Sequence, residues 1–162
     1  MPLDNKKHII IATGGFDPLH EGHIYYLTRA RELGDRLVVG LNSDQWLVRK
    51  KGVPFMLMQE RRAIVEALRC VDEAIEFDDS DGSARDAINQ IISRYPNNKI
   101  TFANGGDRTA KNIPEMDIMG VNFEFGVGGD WKADSSSDVL RRYAEYVRSQ
   151  TDAEGSPYRR FT

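Results

Sequence analysis

An α/β sandwich built on a parallel sheet is predicted by three observations. Short β-branched runs alternate with segments of helical periodicity through residue 149. The length of 162 residues suits one domain with one core. No internal repeat, low-complexity stretch or interdomain linker interrupts the alternation. Such alternation argues for parallel strands with helices on both faces. Strand-helix-strand units cross over right-handed almost without exception, so the expected architecture is a Rossmann-like three-layer α/β/α sandwich with a five-stranded parallel sheet.

The elements follow in order. The apolar run Ile9-Ile10-Ile11-Ala12 carries the first strand, near residues 8–13, and a helix is expected over 22–33. The second strand falls near 36–42; its end, Asn42-Ser43-Asp44, is expected to lead into a flexible basic loop containing Arg49-Lys50-Lys51-Gly52. A helix over 58–69 shows an apolar stripe, Ile64, Val65 and Leu68, which reads as core at helical spacing. Strands near 72–77, 98–103 and 121–125 and helices near 83–94 and 136–149 complete the domain, 1–149. Residues 150–162 lack periodicity and carry Gly, Ser and Pro, which predicts a mobile C-terminal extension.

Composition bounds the function only loosely. Apolar residues are 40% and charged residues 29%, ordinary for a soluble globular protein, enzyme or binding module alike. A formal charge of -3 offers nucleic acid no general attraction, so any phosphate site must be built locally. The single cysteine, Cys70, cannot form an internal disulfide; it fits a reducing compartment and is expected to be a buried structural thiol. No apolar run approaches the roughly 18 to 20 residues that span a bilayer. The N-terminal residues lead straight into a strand, so no membrane partner and a cytoplasmic location are expected.

Residues 13–23, Thr13-Gly14-Gly15-Phe16-Asp17-Pro18-Leu19-His20-Glu21-Gly22-His23, stand where the first strand turns into the first helix. In a parallel sheet, ligands bind outside the C-terminal strand ends where the strand order reverses. Gly14 and Gly15 would let the backbone approach a ligand, Pro18 would stiffen the turn, and the helix start would present free amides and a positive dipole end to phosphate. His20 and His23 can donate hydrogen bonds to phosphoryl oxygens, and a protonated imidazole would offset charge that builds up in a phosphoryl or nucleotidyl transfer. His8 has no such company and reads as structural. No metal site is expected, because His-x-x-His without nearby Cys or further His supplies too few ligands for zinc.

Three further segments carry polar chemistry. The basic loop around Lys50 and Lys51 could fold over a triphosphate as a mobile point charge. Gly105-Gly106-Asp107 permits a tight turn against a ligand, with Asp107 accepting hydrogen bonds from a base or ribose. Ser135, Ser136 and Ser137 stand at a helix start, where hydroxyls and amides hold phosphate or simply cap the helix.

The segment Gly14-Gly15-Phe16-Asp17-Pro18-Leu19-His20-Glu21-Gly22-His23 resembles the G-x-F-D-x-x-H-x-G-H signature of the small nucleotidyltransferases. That superfamily shares its His-x-Gly-His element with class I aminoacyl-tRNA synthetases. Asn42-Ser43-Asp44 with Lys51-Gly52 is similar to elements of small cytidylyltransferases, which makes Lys51 the match to their functional lysine and Lys50 the runner-up. Gln59-Glu60-Arg61-Arg62 resembles a helix start of the same families, in which an arginine reaches the phosphates; Arg62 aligns best and Arg61 is expected to be solvated. Gly105-Gly106-Asp107 resembles a segment of heptose-phosphate nucleotidyltransferases and of glycerol-phosphate cytidylyltransferases, although Arg108 follows where the family usually has an aromatic residue.

The resemblance implies His20, His23, Lys51 and Arg62 as catalytic residues. It implies Thr13, Gly14, Gly15, Phe16, Asp17, Gly22, Gly106, Asp107, Ser135, Ser136 and Ser137 as nucleotide-binding. It further implies a homodimer that transfers a nucleoside monophosphate, CMP from CTP first, to a phosphorylated polyol or sugar such as glycerol 3-phosphate. Mg²⁺ bound with the nucleotide would help pyrophosphate leave. The alternatives are ATP with heptose 1-phosphate, ATP with a pyridine mononucleotide, and a nucleotide-binding module without catalysis.

Overall fold

The computed structural model describes residues 6–129 and 135–154, the side chains of 152–154 excepted. Strands β1 (His8–Gly14), β2 (Arg36–Leu41), β3 (Glu73–Glu76), β4 (Lys99–Ala103) and β5 (Asn122–Glu124) form one sheet in the order β3-β2-β1-β4-β5. All pairings are parallel; in the centre Ile9 stands opposite Arg36 on one side and Ile100 on the other. Between the strands run helices α1 (Glu21–Glu32), α2 (Asp44–Lys51), α3 (Met58–Glu66) and α4 (Arg85–Arg94), and α5 (Ser136–Glu154) follows the sheet.

The run Ile9-Ile10-Ile11-Ala12 is fully buried because β1 is central and covered on both faces. Side chains alternate across a strand. Ile9 and Ile11 therefore join Val38, Ile88, Ile91 and Phe102 in a core under α4. Ile10 and Ala12 join Leu27, Leu37, Val39 and Val65 in a second core under α1 and α3. The chain leaves β1 toward β2 on one side and later returns to β4 on the other. The reversal opens a crevice at the C-terminal ends of β1 and β4, where such sheets bind ligands.

Several expectations are corrected. The basic segment after Asn42 is not a loop but α2: Ser43 caps it by accepting from Trp46 N–H at 3.0 Å, and Gly52, at φ 90°, ends it. Arg49, Lys50 and Lys51 lie in its last turn, where cations oppose the negative dipole end. On α3 the inward positions are Arg61 and Val65, one turn apart, so Ile64 is 39% exposed rather than core. Cys70 is only half-buried, at the margin of the α1/α3 core. A 3-10 turn at Pro114–Asp117 was not anticipated. Helix α5 continues to Glu154, past the expected end at 149, and residues 155–162 lie outside the described part. His8 is structural, its Nε2 2.7 Å from Thr101 Oγ1 between neighbouring strands.

Candidate active site

The turn after β1 is held from behind. Phe16 adopts φ 50°, a conformation that costs a side-chain-bearing residue about 1 to 3 kcal/mol, and its ring is buried. A Cβ on Gly14 would stand 2.9 Å from that ring, and one on Gly15 would stand 3.1 Å from Leu47. Both glycines thus make room for protein side chains. The Asp17 carboxylate, 2% exposed, accepts from Phe55 N–H at 2.7 Å and Met56 N–H at 2.6 Å and pairs with Lys51 Nζ at 2.8 Å.

Arg61 lies beneath the turn, fully buried. Its guanidinium donates to Met56 O at 3.1 Å, Gly15 O at 2.9 Å, Asn42 O at 2.8 Å and Asp44 Oδ1 at 2.7 Å, joining α3 to the turn after β1 and to the Asn42-Ser43-Asp44 segment. Planar, multi-donor guanidinium suits this role. Asp79, also buried, accepts from Ser43 N–H at 2.8 Å, Ser43 Oγ at 2.6 Å and Asn42 Nδ2 at 3.0 Å, and so fixes the start of α2. The Asn-Ser-Asp segment therefore builds the turn.

On this support sit the two histidines, with ring centroids 3.8 Å apart and planes 28° from parallel. His20 is the N-cap of α1, its Nδ1 accepting from Gly22 N–H at 3.1 Å. His23 reaches back so that its own Nδ1 accepts from His20 N–H at 3.3 Å. With both Nδ1 atoms accepting, the neutral rings carry their protons on Nε2. The Phe16 ring meets His23 edge-on at 5.1 Å. Burial first, then His20 and Lys50, push the His23 pKa down to about 3. This corrects two expectations. His23 is a neutral donor before any anion binds, and the Gly22 amide in the first turn of α1 is already taken by an imidazole.

The histidines open on a cavity of about 700 Å³, within the roughly 300 to 1,000 Å³ usual for small-molecule sites. Of the residues expected to bind nucleotide, Thr13, Gly22, Gly106, Asp107, Ser135, Ser136 and Ser137 line it with His20 and His23. Gly106, at φ 64°, makes the turn that brings Asp107 to the rim. Ser135 caps α5, accepting from Asp138 N–H at 3.1 Å, and Ser136 Oγ donates to Pro18 O at 2.9 Å, tying the α5 start to the histidine turn.

Among the described residues, the lysine lining the cavity is Lys50, not Lys51. Lys50 Nζ lies 4.6 Å from the Trp46 ring centroid, and partial desolvation, then Arg108 and Lys51, hold its pKa below the ordinary value. Arg62 is not brought to the cavity either. It pairs with Glu66 at 2.8 Å and Glu76 at 3.3 Å on the outer side of α3 and lines a separate depression along β3. That depression also carries Glu73 and Asp72, so its carboxylates suit it poorly to phosphate.

Sequence reasoning missed Tyr26 and Asn104. The Tyr26 hydroxyl donates to Ala103 O at 2.6 Å, bridging α1 to β4 under the cavity, and burial pushes its pKa up. Asn104, buried at the end of β4, also lines the cavity. No motif marks either residue.

A cavity at the strand-order reversal, with a His-x-Gly-His helix start, a lysine and a serine-rich helix start around it, defines a nucleotidyltransferase domain. The chain belongs to the cytidylyltransferase-like family, whose profile matches residues 11–142. It is 37% identical over 115 residues to the bifunctional protein HldE of Syntrophotalea carbinolica, a match covering 70% of this chain and 22% of that protein. HldE of Geotalea uraniireducens is 48% identical over 115 residues, with the same coverage of each chain. The chain thus spans less than a third of the length of these relatives. Among solved structures it is similar to a lipopolysaccharide core biosynthesis protein from Thermoplasma volcanium, with a TM-score of 0.56 and 27% identity, covering 74% of this chain and 93% of that one. No helix among the described residues is long and apolar enough to cross a membrane.

Proposed function

We propose that this domain transfers AMP from ATP to a sugar 1-phosphate of the heptose 1-phosphate type and releases pyrophosphate. The reaction class is supported above all by the histidine pair, whose Nδ1 atoms are tied to backbone so that the ring protons sit on Nε2. An oxygen of the acceptor phosphate attacks the α-phosphorus in line, the bond to the bridging oxygen of pyrophosphate breaks, and no protein nucleophile is needed. His20 and His23 donate to the oxygens on which charge develops, Lys50 follows the phosphates as a point charge, and the α5 start adds hydroxyls.

Mg²⁺ belongs to this reading as an ion carried by the triphosphate, which it would neutralise as pyrophosphate departs. Among the described residues no group of three His, Cys, Asp or Glu side chains could hold a metal, and Asp107 is the carboxylate lining the cavity. A homodimer is part of the same proposal. Val53, Phe55 and Leu57, all exposed in the segment before α3, would give it apolar contact area.

The relatives favour ATP and a heptose phosphate over CTP and glycerol 3-phosphate. They carry the name HldE, the solved neighbour is named for lipopolysaccharide core biosynthesis, and Gly105-Gly106-Asp107 already resembles the heptose-phosphate enzymes. Pyrophosphate release, measured for each of the four ribonucleoside triphosphates with heptose 1-phosphate, glycerol 3-phosphate and nicotinate mononucleotide, tests the assignment. Turnover is expected with ATP and heptose 1-phosphate. Turnover confined to CTP and glycerol 3-phosphate would restore the cytidylyl reading, and nucleotide binding without any turnover would make the domain a binding module.

A further inference from the structure

Arg108 follows the Gly105-Gly106-Asp107 turn and lines the cavity together with Lys50, which comes from a different element, α2. Its segment is braced internally: Asn112 Oδ1 accepts from Thr109 N–H at 2.7 Å, and Asn112 Nδ2 donates to Asp107 O at 2.9 Å. Arg108 itself has no hydrogen-bond or ion-pair partner among the described residues. Lys50, likewise without a carboxylate partner, rests on Trp46. Two cations thus converge on a cavity in which Asp107 is the one carboxylate among the described lining residues, in a chain of net charge -3. Desolvation first, then Arg108 and Lys51, hold the Lys50 ammonium below its ordinary value. Such an arrangement is favourable only when an anion occupies the space between.

The reaction proposed above needs two anionic reactants, and their mutual repulsion must be offset for an attacking phosphate to reach the α-phosphorus. The histidines and the serine-rich start of α5 form one polar wall of the cavity. Among the described lining residues, Lys50 and Arg108 are the lysine and arginine. We propose that Arg108, working with Lys50, grips the phosphate of the acceptor and selects phosphomonoester acceptors. This rests on the nucleotidyl-transfer reading. Guanidinium binds a dianionic phosphate through two parallel N–H donors, a charge-assisted contact that a neutral hydroxyl acceptor cannot make.

Steady-state kinetics of pyrophosphate release with ATP and heptose 1-phosphate, in the unaltered protein and in Arg108→Gln and Arg108→Lys, test it, alongside calorimetric titration of heptose 1-phosphate. For Arg108→Gln the acceptor KM is expected to rise about tenfold or more while the ATP KM stays within about twofold, as for the loss of one charge-assisted contact. Arg108→Lys should recover part of the loss. A rise in the ATP KM with an unchanged acceptor KM would assign Arg108 to the triphosphate and overturn the proposal, as would no change in either. Should the unaltered protein release no pyrophosphate with any acceptor, the reaction falls. Titration then decides the phosphate grip separately. Heptose 1-phosphate binding that is lost in Arg108→Gln sustains it, and binding that is absent or unaffected by the substitution overturns it.

Discussion

His23→Asn separates the two functions of one imidazole. The asparagine Oδ1 can take the place of Nδ1 as acceptor for the His20 N–H, which is bonded at 3.3 Å, but the side chain neither titrates nor places a donor at the Nε2 position. In the folded protein His23 has a pKa of about 3, against an ordinary 6.5. The folded value lies below the unfolded one, so as pH falls the unfolded chain takes up the proton first. Stability present above about pH 6.5 is therefore lost as pH falls toward 3. Between pH 7 and pH 5 the expected loss from this group is about 2 kcal/mol. Urea denaturation of both proteins at the two pH values measures it. His8, whose pKa is also lowered by burial, and the carboxylates are common to both proteins and cancel in the difference. The unaltered protein should lose about 2 kcal/mol more than His23→Asn on acidification. Equal losses would mean that His23 is not a desolvated, neutral imidazole. Turnover in the same variant should fall by at least about a hundredfold, as when one donor to a developing charge is removed. Near-normal turnover would take His23 out of the reaction.

Neighbouring arginines should part company. Arg61→Ala leaves Asp44 and three carbonyls without their buried donor and should cost about 3 to 5 kcal/mol, whereas Arg62→Ala, which breaks two exposed pairs, should cost less than about 1 kcal/mol by the same denaturation assay. Comparable losses would refute the division of α3 into an inner and an outer face. The adjacent lysines should diverge in the opposite sense. Lys51→Met strands the Asp17 carboxylate and should lower stability by about 1.5 to 3 kcal/mol, while Lys50→Met should change stability by about 1 kcal/mol or less and lower kcat/KM about tenfold or more. A stability loss for Lys50→Met as large as that for Lys51→Met would refute the assignment of Lys50 to the cavity.

The strands were readable because β1 and β2 are buried on both faces, and a doubly covered strand shows as a continuous apolar run whatever its neighbours do. Helix α2 was readable in principle and missed. Ser43 before Asp44, cations in the last turn and Gly52 at the end are ordinary start and stop signals. They were overshadowed by the phosphate-binding appeal of a basic run and by the absence of a wide apolar face, since Leu47 is the helix's one buried residue among those described. Taking the run as a loop also misplaced its lysines. In a helix, consecutive residues point about 100° apart, so Lys50 and Lys51 cannot share a target. The same geometry misled the reading of α3, where a hydrophobic stripe was drawn through Ile64. The buried arginine at position 61 breaks the rule that charge faces water, and only its four acceptors explain it.

The signature itself divides by depth. Gly14, Gly15, Phe16 and Asp17 make a turn whose back is bonded to Met56, Phe55, Lys51 and Arg61, and what this turn delivers to the cavity is the histidine pair. A signature of this kind is legible because its turn residues, held from behind, place two imidazoles side by side. It says little of the acceptor. The rest of the cavity carries Lys50 from α2, Tyr26 from the second turn of α1, and Asn104 and Arg108 from the loop after β4. These residues are distant in sequence and meet only because β1 and β4 are neighbours across the reversal of strand order. The reaction class was therefore legible in one short segment, while the rest of the cavity is lined by side chains whose company the topology, and no local pattern, supplies.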